Sequence, residues 1–308
     1  MIVGWALSSS KRAPNHKLLS LAKKLRSIAF MTMTKREPDQ PSRHLTRPEG
    51  RIAYDIRGAG PLVLLVPGMG DLRSTYRFLT PALVASGYQV VTVDLRGHGD
   101  SETSFSAYGD VPTASDLAAL LADLGKPAVV VGNSMAAGAA VIVAAEHPDL
   151  IEGLVLVGPF VRQPASAGLF SRLFLRLLMA PLWAARVWSL YMPKLYAGQL
   201  PPDFADYRRT VASSIGRPGY ARAFSLTTRT DHVQAGASLD RVHSPALVVM
   251  GCKDPDFPDP RAECEWIARK LGGRAVMIDD AGHYPQSQQP EHLAGVVLDF
   301  LAEVRDRA

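Results

Sequence analysis

Gly132-Asn133-Ser134-Met135-Ala136 constrains this chain more than any other stretch. Before it runs Ala128-Val129-Val130-Val131, apolar and β-branched. After it runs Ala137-Gly138-Ala139-Ala140-Val141-Ile142, small and helical in pattern. A strand that turns sharply into a helix lifts a serine hydroxyl out of the sheet. The same turn crowds the backbone, so the positions two before and two after the serine must be small. Gly132 and Ala136 meet that demand, although glycine is the usual residue at the second position.

Two further groups follow in an order that suits acyl-transfer chemistry. Past the apolar run Ala246–Met250 comes Gly251-Cys252-Lys253-Asp254-Pro255-Asp256. A carboxylate at a strand's C-terminal end can orient an imidazole and stabilise its cation. Asp254 is the leading candidate, and Asp256 and Asp259 compete with it. Past Ala275–Ile278 comes Ala281-Gly282-His283-Tyr284-Pro285, a histidine on a loop beyond a strand. The chain order is Ser134, Asp254, His283. Upstream, Val63–Val66 runs into Pro67-Gly68-Met69-Gly70-Asp71. The backbone N–H of Met69, with that of Met135, is the expected pair of donors for an oxyanion. His98 is expected to order its own loop, and Asp94 and Arg96 to belong to a structural network.

The alternation of elements predicts the fold. A hairpin is expected over about 44–56. Strands are expected near 62–66, 89–94, 128–132, 154–157, 246–250 and 275–278. Helices are expected near 76–86, 113–124, after Ser134, and over 260–271 and 290–305. Continuous apolar strands alternating with helices predict an α/β fold, a mostly parallel central sheet with helices on both faces. Such sheets bind ligands at the strands' C-terminal ends, where every candidate group falls.

Taken together, Pro67-Gly68-Met69-Gly70, Asp94-Leu95-Arg96-Gly97-His98-Gly99, the serine turn, Gly251-x-x-Asp254 and Gly282-His283 resemble the α/β-hydrolase superfamily over roughly residues 43–308. The resemblance implies a Ser-His-Asp triad and a helical cap inserted after the sixth strand. The family often has His-Gly where this chain has Pro67-Gly68. The Asn-Ser-Met core resembles that of carbon–carbon bond hydrolases, which usually continue with two glycines where Ala136 and Ala137 stand. Relatives with other chemistry, the haloalkane dehalogenases and epoxide hydrolases, place aspartate at the elbow.

Between about 161 and 235 the strand–helix alternation stops. Leu169, Phe170, Leu173, Phe174, Leu177, Leu178, Met179, Leu182, Trp183, Val187, Trp188, Leu190 and Tyr191 crowd this stretch. We expect a cap over 161–235, between core segments 43–160 and 236–308, whose inner face lines an apolar pocket. Packing of these residues on one another is the competing expectation. A membrane-surface role for Arg172, Arg176 and Arg186 ranks below both. No stretch qualifies as an integral membrane span, since Arg176, Pro181 and Arg186 interrupt the best candidate.

Charge is unevenly placed. The chain carries a formal +5, and residues 1–30 hold six Lys or Arg and no acid, which leaves −1 for the remainder. A near-neutral body argues against a nucleic-acid partner. Residues 1–42 are expected to be a disordered basic tail or an over-extended start ahead of Met31 or Met33. A targeting presequence or a surface-binding helix is the alternative. Cys252 and Cys264 form neither a disulfide framework nor a zinc spacing, and a cytoplasmic location follows as the expectation. No cofactor and no metal are expected, and the oligomeric state is not legible. The sequence thus predicts a serine hydrolase of small hydrophobic esters. A carbon–carbon hydrolase or other acyl-transfer enzyme, or a ligand-sensing protein that keeps the triad, stands second.

Overall fold

Eight strands define the molecule, and the central ones are too apolar to face water on either side. The computed structural model describes residues 42–162, 174 and 176–307. The expected tail therefore lies outside the described residues except for Ser42, as do Leu169, Phe170 and Leu173 of the expected cap. The strands are β1 (Arg43–Arg47), β2 (Gly50–Arg57), β3 (Leu62–Val66), β4 (Gln89–Val93), β5 (Ala128–Asn133), β6 (Ile151–Val157), β7 (Ala246–Gly251) and β8 (Arg274–Ile278). Their order across the sheet is β1-β2-β4-β3-β5-β6-β7-β8. The first hairpin is antiparallel, β2 meets β4 antiparallel, and every pairing from β4 to β8 is parallel.

The continuous apolar runs follow from burial on both faces. Side chains alternate between faces with period two. Val63, Leu65, Val129, Val131, Val155 and Val157 pack with α1 (Leu79–Ala85) and α10 (Pro290–Arg305). Leu64, Val66, Val130, Leu154, Leu156 and Val248 point the other way. They share a cluster with α2 (Asp110–Leu124), α3 (Met135–Glu146) and α8 (Pro260–Lys270). The remaining helices are α4 (Ala184–Leu195), α5 (Phe204–Ile215), α6 (Tyr220–Thr227), α7 (Val233–Ser238) and the short α9 (Pro285–Gln288).

The topology places the site. From β3 the chain crosses to β4 on one side, and from β5 it crosses to β6 on the other, while β3 and β5 pair directly. Loops leaving two adjacent strands in opposite directions open a crevice at their C-terminal ends. Pro67–Asp71 and Ser134 leave the sheet at that point.

Helices α4 to α7 form the insertion between β6 and β7. Ala184, Trp188, Met192 and Leu195 on α4 pack against Phe204, Tyr207, Val211 and Ile215 of α5 and against Phe224 of α6. This third cluster reaches the sheet through Leu72 and Tyr284. For these residues mutual packing wins over the expectation of an apolar pocket lining. Other apolar residues of the stretch, Leu182 and Leu190 among them, face outward.

Candidate active site

Ser134 is held in a backbone conformation that side chains avoid, φ 59° and ψ −124°. Among the described residues only Ser134 and Asp280 are non-glycine with positive φ. Such strain persists where the surroundings over-determine it. Here the Ser134 N–H donates to Val157 O at 2.9 Å, and Ser134 O accepts from Ala137 N at 3.1 Å and from Phe160 N at 3.3 Å. Asn133 Nδ2 donates to Val157 O at 3.0 Å and to His283 O at 3.2 Å. The tight turn explains Gly132, where a Cβ would stand 2.8 Å from Ala136 O. Ala136 itself is fully buried and its methyl finds room. Ser134 as a whole is only 8% exposed.

His283 sits beyond β8, with its N–H bonded to Leu195 O at 2.8 Å and the preceding Gly282 N–H bonded to Gln288 Oε1 at 2.9 Å. Its ring Nδ1 lies 2.7 Å from Asp254 Oδ2, both side chains buried. Asp256 comes no nearer than 3.9 Å to that nitrogen and accepts instead from Tyr191 OH at 2.6 Å. Asp259 caps α8 through Ala262 N. Of the three carboxylates it is therefore Asp254 that pairs with the imidazole. Burial alone lowers the basicity of His283. The charge and hydrogen bond of Asp254, with Asp256 and Asp71 further off, outweigh it and raise the pKa above the ordinary imidazole value. Asp254, Asp256 and His283 are also the group that could jointly approach a cation. At 2.7 Å, however, the imidazole and Asp254 are in direct hydrogen-bond contact and leave no room for an ion between them.

Register brings the pieces into one row. β3 pairs Val66 with Gly132, and β6 pairs Val157 with Asn133. Just past the strand ends, Gly68 and Gly158 flank Ser134. A Cβ on Gly68 would stand 2.8 Å from Ser134 Cβ. A Cβ on Gly158, at φ +52°, would stand 3.1 Å from the His283 ring and 3.3 Å from Asp254 Oδ2. Met69 follows Gly68, and Met135 is the first residue of α3, where the N–H groups of the first turn have no intrahelical partner.

The peptide groups after Met69 are clamped from both sides. Gly70 N–H donates to His98 Nε2 at 3.0 Å, and Trp188 Nε1 donates to Gly70 O at 2.7 Å. Burial lowers the His98 pKa to about 4, so the ring is neutral. Because Nε2 accepts, the proton sits on Nδ1 and is donated to Arg96 O at 3.0 Å. Next along, Tyr207 OH donates to Asp71 Oδ1.

The α/β hydrolase family model matches residues 63–295, most of the described sheet. This chain belongs to the α/β hydrolase family. A pimeloyl-(acyl-carrier protein) methyl ester esterase of Neisseria meningitidis is 30% identical over 249 residues, covering 79% of this chain and 78% of that protein. Among solved structures, a thermophilic esterase from Thermogutta terrifontis aligns with TM-score 0.73 at 24% identity, over 86% of this chain and 99% of its own. A bromoperoxidase from Bacillus anthracis aligns with TM-score 0.74 at 19% identity, over 85% and 100% respectively. These two likenesses speak for the fold. Family and relatives together make the chain an α/β-fold hydrolase enzyme.

Some residues of this hydrolase take roles that sequence did not reveal. His98 does more than order its own loop, since it also holds Gly70. Its partner is 28 positions away, and nothing in spacing marks it. Asp94 and Arg96 are structural but serve different partners. Buried Asp94 takes Arg73, whose guanidinium also reaches Asp55 and Asp100, whereas Arg96 forks onto Asp116 at 2.7 and 2.8 Å. Gly158 and Trp188 also carry no sequence signature. Both become legible only once the register of β5 with β6 and the packing of α4 are known.

Proposed function

We propose that this hydrolase cleaves small hydrophobic carboxylic esters through an acyl-enzyme on Ser134. The observation that carries the proposal is the buried 2.7 Å His283–Asp254 pair, tied by the bond from Asn133 Nδ2 to His283 O at 3.2 Å to the strand-to-helix turn that holds Ser134 at positive φ. His283 takes the Ser134 proton as Oγ bonds to the ester carbonyl carbon. Asp254 keeps the ring tautomer and stabilises the imidazolium. The N–H groups of Met69 and Met135 receive the oxyanion, each such donor contributing ~3 kcal/mol in studied enzymes. Collapse breaks the bond to the alcohol, which leaves with the proton from His283. Water then attacks the acyl-enzyme with the same imidazole as base.

The esterase relative named for a methyl ester supports an ester as the scissile group. In this reading residues 161–235 are the cap. Cys252 and Cys264 are free thiols, which fits a reducing compartment, and we assign the enzyme to the cytoplasm.

A panel of p-nitrophenyl acyl esters with a fluorophosphonate probe tests the proposal. The expected result is ester turnover with covalent labelling of Ser134. Ser134→Ala is expected to abolish labelling and to lower kcat by at least ~10³-fold. Turnover that survives Ser134→Ala within about tenfold overturns the assignment of the nucleophile. Labelling without turnover of any ester redirects the reading to carbon–carbon hydrolysis or ligand sensing.

A further inference from the structure

The outer face of the helical insertion is apolar and cationic at once. Nine large apolar side chains are exposed among the described residues, and seven of them fall between 174 and 200. Leu182 is 87% exposed and Leu190 75%, and they belong to a run of exposed apolar residues rather than standing singly. On α4 the buried stripe is Ala184, Trp188, Met192 and Leu195. The opposite stripe, Trp183, Arg186, Leu190 and Lys194, follows at i, i+3, i+7 and i+11 and is exposed throughout. Trp183 joins this stripe to the preceding turn, because its Nε1 donates to Leu177 O at 3.0 Å and to Leu178 O at 3.1 Å. Leu177 and Phe174 are exposed on that turn, with Arg176 between them.

Charge decides what this face fits. From residue 163 to residue 202 the chain has Arg172, Arg176, Arg186 and Lys194 and not one acidic residue. A second copy docked by symmetry would set the exposed Arg176, Arg186 and Lys194 against their own duplicates with no carboxylate in this stretch to receive them. An anionic lipid surface offers what the face lacks: acyl chains for the leucines, headgroups for Arg and Lys, and an interfacial layer for Trp183. No helix among the described residues is long and apolar enough to cross a membrane, so the contact is peripheral.

We infer that the outer face of the insertion, from the turn at Leu177 through α4, is a docking surface for membranes rich in anionic lipid. The opposite stripe of α4 holds Gly70 through Trp188, so docking sets the crevice close to the lipid from which an apolar ester would come. Binding does not depend on the catalytic reading, and it can be measured without turnover.

The test is co-sedimentation of the full chain with vesicles of phosphatidylcholine alone and of phosphatidylcholine with about one third phosphatidylglycerol. The expected result is binding to the anionic vesicles that weakens in high salt. The double variant Leu182→Asp/Leu190→Asp is expected to lose about tenfold or more of that binding, since it removes apolar area and adds like charge to the lipid. Arg186→Glu/Lys194→Glu is expected to remove the preference for the anionic vesicles. Both sites are exposed, so both variants should keep the parent's circular dichroism and thermal midpoint. Ser134→Ala should bind like the parent, which separates failure of docking from failure of the esterase assignment. Absence of binding to anionic vesicles overturns the inference. So does binding that the Leu182/Leu190 variant leaves unchanged, which would place the contact elsewhere in the chain. So does a dimer, seen by light scattering, that the same variant dissolves.

Discussion

The roles proposed for Ser134, His283 and Asp254 depend on small distances, and two distances around His283 yield direct tests. Gly158 leaves room for the imidazole. In Gly158→Ala the new methyl would press on the His283 ring at 3.1 Å, and the residue would keep φ near +52° at a cost of ~1–2 kcal/mol. The expected outcome is a folded protein with kcat lowered at least about tenfold, read from steady-state kinetics beside a thermal melt. A variant as active as the parent would show that the ring has more freedom than the packing allows. The second test is titration. Burial works against protonation of His283, but Asp254 and then Asp256 outweigh it, so the folded pKa is raised. The base must be neutral to act, so activity is lost as pH falls through that raised value. The acid limb of kcat/KM is expected to have its midpoint above the ordinary imidazole value of about 6.5. Asp256→Asn removes a carboxylate 3.9 Å from Nδ1 and is expected to move that midpoint to lower pH. A midpoint at or below 6.5, or one indifferent to Asp256→Asn, contradicts this account of the electrostatics.

At the scale of elements, the loop from β3 is where sheet and insertion meet. Both polar groups of Gly70 are taken, the N–H by His98 and the carbonyl by Trp188. The peptide carrying the proposed Met69 donor is thereby held from the next residue along. Trp188→Phe keeps an aromatic ring but deletes the indole N–H together with part of the buried bicycle. It is expected to lower kcat several-fold with KM nearly unchanged, as for a donor misplaced in the transition state. A change confined to KM would assign Trp188 to substrate binding instead. The elements themselves were largely readable. Runs such as Leu62–Val66 are apolar at every position because helices cover both faces, and that is why their strand character showed. The insertion was readable as helical but not as oriented. Apolar residues occupy both stripes of α4, so periodicity alone could not say that Trp188 faces inward and Leu190 outward.

The whole molecule is two packed layers, a sheet with its helices and the insertion, joined by a polar seam that no local pattern announces. Chain order singled out Ser134, Asp254 and His283 as the proposed triad, because loops at the carboxyl ends of parallel strands converge whatever their separation in sequence. The seam has no such rule. In it Asp71 receives Tyr207 OH, while its second oxygen, with Tyr196 OH and Gln286 Oε1, has no hydrogen-bond partner among the described residues. Burial raises the pKa of Asp71, against the opposing hydrogen bonds from Tyr207 and Leu72. The folded chain therefore holds this proton to higher pH than the unfolded chain does. Between the ordinary carboxylate value of 3.8 and the raised one, the unfolded state binds fewer protons, so stability falls as pH rises. Asp71→Asn keeps an acceptor for Tyr207 and cannot ionise. Near pH 4 variant and parent are expected to melt together. Toward pH 8 the variant is expected to melt a few degrees higher, the scale of ~1 kcal/mol in a protein of this size. A difference in melting temperature that stays flat across this range, or that favours the parent increasingly with pH, would mean that Asp71 is ionised and well solvated within the seam.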